Sequence, residues 1–218
     1  MIGDKIVIKE YHRIGARLVL DYIHAHRPQF PLGLTVSGES GSGKSEIAHC
    51  IKDLLELEGK KVAILGQDDY FRLPPHSNHQ QRTKDIGWVG PNEVQLDLMD
   101  YHIGKLLDPQ GYAIVKPLVH FSENIITTEL MQGPFDVVIA EGTYTALLSK
   151  PTIKAFIDRD FRETKKDRLA RNRDQALENG KDQKLTFLED VLTIEHEEIR
   201  THKTNATIVI PAPDKIQG

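Results

Sequence analysis

Apolar residues fall into short runs that alternate with longer stripes at helical spacing along the chain. A first stripe over Glu10–His26 puts Ile14, Leu18, Tyr22 and Ile23 on one face, and Pro28 ends it, so an N-terminal helix is expected at about 10–27. Residues 32–37 (LGLTVS) read as a buried strand. Ile47, Ile51, Leu54 and Leu55 then stripe a second helix that stops at Gly59. Further strands are predicted at Lys61–Leu65, Ala113–Val119, Phe135–Ala140, Lys154–Ile157 and Thr207–Ile210, and further helices at Glu93–Leu107, Arg162–Leu177 and Leu188–Thr201. Strands alternating with helices predict an α/β fold, a parallel sheet flanked by helices. Two stretches break the alternation. Arg72–Pro91, with three prolines and the only tryptophan, Trp88, reads as a long irregular functional loop. Arg159–Lys184 is rich in both charges and reads as solvated.

The 218 residues suit a single domain over 1–218, with room for an appended lid at about 159–184. With 39% hydrophobic residues there is material for one core, and no apolar run nears the ~20 residues of a membrane span. Asp4, Lys5, Lys9 and Glu10 argue against a secretory signal. The lone Cys50 leaves no internal disulfide to form, so a cytoplasmic setting is expected. A net charge of −4, from 28 basic and 32 acidic residues, gives no footprint for nucleic acid and leaves a homo-oligomer open.

The strongest chemical signal is Gly38-Glu39-Ser40-Gly41-Ser42-Gly43-Lys44-Ser45, which satisfies G-x-x-x-x-G-K-S/T between a strand pattern and an amphipathic helix. Glycines let the backbone wrap closely and turn successive N–H groups inward, an anion nest at a helix start. Gly38, Ser40, Gly41, Ser42 and Gly43 are therefore expected to cradle the phosphates of ATP. Lys44 would reach the β- and γ-phosphates, and the Ser45 hydroxyl would ligate Mg²⁺.

Two acidic elements come after predicted strands. Gly66-Gln67-Asp68-Asp69-Tyr70-Phe71 comes after Val62–Leu65, at the sheet edge that faces a ligand crevice. A carboxylate there can take the proton of an acceptor hydroxyl during phosphoryl transfer, or the pair can simply cap a turn. Val137-Val138-Ile139-Ala140 runs into Glu141-Gly142; Glu141 can hold a Mg²⁺-bound water or cap the next helix from Thr143 onward.

Together these residues resemble the uridine kinase and phosphoribulokinase-like P-loop kinases. GESGSGKS is similar to that family's G-x-S-G-S-G-K-S/T loop, QDDYF to its Q-D-S-F-Y element, and VVIAEG to its strand ending in E-G. Arg168-Leu169-Ala170-Arg171-Asn172-Arg173-Asp174 is similar to its arginine-rich lid helix, and Asn205–Ile210 lies where its last strand does. The resemblance implies a P-loop fold and an ATP- and Mg²⁺-dependent small-molecule kinase. Asp68 would be the general base, Lys44 and Ser45 the phosphate and magnesium residues, and Arg171 and Arg173 the lid arginines that steady the phosphoryl group. From the sequence itself those arginines could equally be a solvated helix face.

The acceptor half departs from the family. Gly90-Pro91-Asn92-Glu93-Val94 stands where H-P-D-A-F is usual, and Pro117-Leu118-Val119-His120-Phe121, with Asn124 beyond, replaces P-x-Y-D-F and its following histidine. The lid's E-R-G-R appears as Glu178-Asn179-Gly180-Lys181. The acceptor, a nucleoside or another small hydroxyl compound, is expected to meet Asp69, Tyr70, Asn92, His120 and Phe121. Other motifs carry less. Thr164-Lys165-Lys166-Asp167 fits a guanine reader but lies in the lid, and His196-Glu197-Glu198-Ile199-Arg200 lacks the second zinc histidine. His76 and His79 read as solvated, and Cys50 as a small core residue. A nucleotide-binding regulator or a nucleic-acid ATPase are the rival classes; the first lacks switch motifs and the second a basic surface.

Overall fold

The computed structural model describes residues 1–2, 6–165, 168 and 183–216. Its centre is β1 (Leu32–Gly38), buried along its whole length, as befits an apolar run with a strand on either side. β2 (Val62–Gly66), β5 (Val137–Gly142), β6 (Ile153–Asp158) and β7 (Ile208–Pro211) complete a five-stranded sheet in the order β2-β5-β1-β6-β7. Every pairing is parallel; Leu34, for example, lies between Ile139 and Ile153.

Alternation along the strands splits the core in two. Leu32, Leu34 and Val36 of β1, with Ile139 of β5 and Ile157 of β6, face α1 (Glu10–His26) and α2 (Lys44–Leu57). Ile47, Ile51 and Leu55 of α2 are fully buried there, each worth ~1.5–3 kcal/mol. On the other face Leu65, Val138, Ala140 and Phe156 meet Met99, Ile103 and Leu106 of α4 (Leu96–Leu107) and Ile199, the last residue of α5 (Gln183–Ile199). A short α6 (Pro213–Ile216) comes after β7.

Three expectations are corrected. The strand at Ala113–Val119 forms as β3 (Ala113–His120), but it pairs antiparallel with β4 (Ile125–Gln132) in a separate two-stranded sheet. β4 reads IITTELMQ and is largely exposed, so no apolar pattern announces it. The turn between the strands is closed by Asn124 at φ 54°, a left-handed conformation that asparagine tolerates. Arg72–Pro91 is not irregular throughout. It contains α3 (Pro75–Lys84), started by a proline in its first turn and so polar (PHSNHQQRTK) that only Asn78 is buried. Glu93 does not open a helix; it closes a 3₁₀ turn over Pro91–Glu93 and is wholly buried.

Candidate active site

The phosphate loop leaves β1 at Gly38 and enters α2 at Lys44. Gly41 at φ 75° and Gly43 at φ 100° hold conformations that side chains resist, which curls the backbone into the nest. Lys44 Nζ donates to the Glu39 carbonyl at 2.8 Å, folded back over the loop. The Ser45 hydroxyl donates to Glu141 Oε2 at 3.2 Å. A hydroxyl from the helix start and a carboxylate from the next strand end thus converge beside the nest, a donor set of hard oxygens that fits Mg²⁺.

The loop is also bound to the chain beyond β6. Thr164 Oγ1 donates to the Ser40 carbonyl at 2.8 Å, and Arg168 Nη1 to Thr164 Oγ1 at 2.6 Å. Glu39, a variable position of the motif, is buried and accepts from the Phe161 N–H at 2.7 Å and pairs with His196 Nδ1 at 2.6 Å. Arg171 and Arg173 lie outside the described residues.

Asp68 lies in a 3₁₀ turn, Gln67–Tyr70, directly after β2. It lines an open cleft of about 150 Å³ with Met1, Phe71, Leu73, Pro75, Asn78, Arg82, Val119 and Phe121. Most of its walls are apolar, as in sites that take small metabolites. Of the five residues expected around an acceptor, Phe121 is on this wall. The other four are engaged elsewhere. Asp69 is buried, accepting from Lys116 Nζ and the Val119 N–H at 3.0 Å each and lying 3.1 Å from the Met1 amino group, so it fastens the β3–β4 hairpin to the sheet edge. Tyr70 is a core residue, its phenol 3.0 Å from His102 Nδ1; burial pushes the phenol's pKa up and the imidazole's down. Asn92 is exposed and offers its carbonyl to Arg72 at 2.9 Å. His120 is bonded to Thr127 Oγ1 at 2.9 Å.

Sequence reasoning missed the polar side of the cleft. Arg82 of α3 donates Nε to Glu93 Oε2 at 2.6 Å and Nη2 to Glu93 Oε1 at 2.8 Å and Glu195 Oε1 at 3.1 Å. Asn78 bonds Glu93 and receives Trp88 Nε1 at 2.9 Å, and the Gly90 N–H meets Glu93 Oε1 at 2.9 Å. Burial opposes the charge on Arg82, but Glu195 and Glu93 outweigh it and raise its pKa. Burial pushes the Glu195 carboxyl above its ordinary value, against the pull of Arg82. The departure at Glu93, already visible in the sequence, was the one signal that could have led here.

The model of the phosphoribulokinase/uridine kinase family matches residues 34–165. A uridine kinase of Streptococcus pyogenes is 28% identical over 191 residues, covering 83% of this chain and 87% of that protein. Two solved structures share the fold: a possible uridine kinase from Bacillus stearothermophilus, with a TM-score of 0.64 at 14% identity over 90% of this chain and 97% of that one, and D-glycerate 3-kinase from Cryptococcus neoformans, with a TM-score of 0.60 at 17% identity over 90% of each. With its P-loop fold, its phosphate nest and the carboxylates beside it, the chain belongs to the phosphoribulokinase/uridine kinase family and is an ATP-dependent small-molecule kinase.

Proposed function

We propose that the protein transfers the γ-phosphoryl group of ATP to a hydroxyl of an uncharged, nucleoside-like acceptor held in the Asp68 cleft. One observation carries this reading: the sheet order β2-β5-β1 sets Asp68, Glu141 and the phosphate loop in a row along one sheet edge. That neighbourhood supports Asp68 as proton acceptor and Glu141 as metal carboxylate beside the phosphate nest.

Asp68 orients the acceptor hydroxyl and takes its proton as the new P–O bond forms. Lys44 swings from the Glu39 carbonyl to the transferring phosphoryl group, and the nest N–H groups hold the phosphates. Ser45 and Glu141 would hold Mg²⁺, which when bound neutralises charge on the β- and γ-phosphates. Arg171 and Arg173 would close over the phosphates from the lid. Phe71, Val119 and Phe121 offer apolar walls to a base. The guanidinium of the cleft, Arg82, is already met by two carboxylates, which favours an uncharged acceptor over a sugar phosphate, glycerate or pantothenate.

Incubation with ATP, Mg²⁺ and each of uridine, cytidine, D-glycerate, pantothenate and ribulose 5-phosphate, read by mass spectrometry, tests this. A phosphorylated nucleoside is the expected product. A product from the anionic acceptors alone would overturn the acceptor assignment.

A further inference from the structure

The row along the sheet edge has a direction. The γ-phosphoryl group must face the Asp68 cleft at the β2 end, so the nucleoside end of the donor points the opposite way, over the ends of β6 and β7. On that side, among the described residues, stand Tyr11 and Arg159. Tyr11 belongs to the first turn of α1, and that turn abuts the last glycine of the phosphate loop: a Cβ on Gly43 would meet His12 Nε2 at 2.7 Å and Tyr11 Cε2 at 3.6 Å. α1 is seated there by Gly15, whose missing Cβ would lie 3.0 Å from Ile210 of β7 and 3.1 Å from Ile47 of α2. Arg159 immediately succeeds β6. Its Nη1 donates to the Tyr11 hydroxyl at 3.1 Å, and its guanidinium carbon lies 5.4 Å from the Tyr11 ring centroid. Both residues are half-buried.

We infer that Tyr11 and Arg159 form the wall against which the purine base of the donor nucleotide stacks. The inference rests on the donor orientation that the Asp68 cleft sets. It assigns a role to α1, which lies outside residues 34–165 matched by the family. An aromatic ring and a planar guanidinium both bind the π-face that every base presents. Such a wall supplies affinity without reading the base edge, so ATP and GTP should serve as donors alike.

Calorimetric titration of Mg²⁺-ADP and Mg²⁺-pyrophosphate into the parent protein, Tyr11→Ala and Tyr11→Phe separates base from phosphate. Tyr11→Ala should weaken ADP by about tenfold or more and leave pyrophosphate unchanged. Tyr11→Phe keeps the ring and should stay within about threefold of the parent. Equal losses for both ligands would mean that the turn merely props Gly43, and would overturn the inference. So would an unchanged ADP affinity. Should Tyr11→Ala fail to fold, Arg159→Ala gives the same contrast from the other half of the wall. No acceptor enters these titrations, so a failed acceptor panel with an intact ADP contrast would count against the acceptor assignment alone.

Discussion

The donor half and the proposed acceptor half of the site are built by different means. The donor half is backbone: the five residues between β1 and α2 supply N–H groups and two glycines in left-handed conformations, and α2 opens on one lysine. The acceptor half is side chains drawn from α3, the turn after β2, the end of β3 and α5, locked by Arg82 between Glu93 and Glu195. A local motif can be carried by spacing, whereas a pocket assembled from distant elements must also be held by the fold. Damage to the donor half should therefore cost rate, and damage to the acceptor half should cost stability as well.

The largest effect expected from this contrast is at Lys44. Lys44→Ala leaves no core cavity but removes charge from the transferring phosphoryl group, so kcat should fall by about 10²–10³ in steady-state assays with an unchanged thermal transition. A lowered Tm with intact kcat would invert the comparison. Arg82→Leu should cost stability as well as rate. It strands Glu93, fully buried, without its cation, and denaturant unfolding should show a loss of roughly 3–5 kcal/mol. Glu195→Gln should act least, and through pH. Burial raises the Glu195 pKa, so the folded state keeps that proton to higher pH than the unfolded chain and stability falls as pH climbs above 4.5. Glu195→Gln removes this slope, and its Tm should gain on the parent as pH rises from about 4 to 7. A gain on lowering the pH would refute the assignment.

Legibility in the sequence divides along the same line. The helices α1 and α2, the parallel strands and the phosphate loop all advertise themselves by local apolar periodicity or spacing. α3 and β4 do not, because one is polar almost all round and the other exposes most of its residues; tertiary contacts hold them instead. Asp68 and Asp69 are adjacent and chemically identical, so only the fold tells which lines the cleft and which clamps Lys116. Arg82 and Glu195 lie 113 positions apart, and Glu39 and His196 lie 157 apart, separations over which no motif extends.

The row of Asp68, Glu141 and phosphate loop is the central claim, and single-turnover transfer of the γ-phosphoryl group by Asp68→Asn beside Asp69→Asn tests it most directly. Asparagine keeps the shape of either side chain and removes its charge. Asp68→Asn should slow transfer by about a hundredfold or more with ADP affinity retained. Asp69→Asn should transfer at close to the parent rate and show its cost in a lowered Tm, because Lys116 loses its buried partner. Transfer slowed at Asp69 and spared at Asp68 would contradict the account.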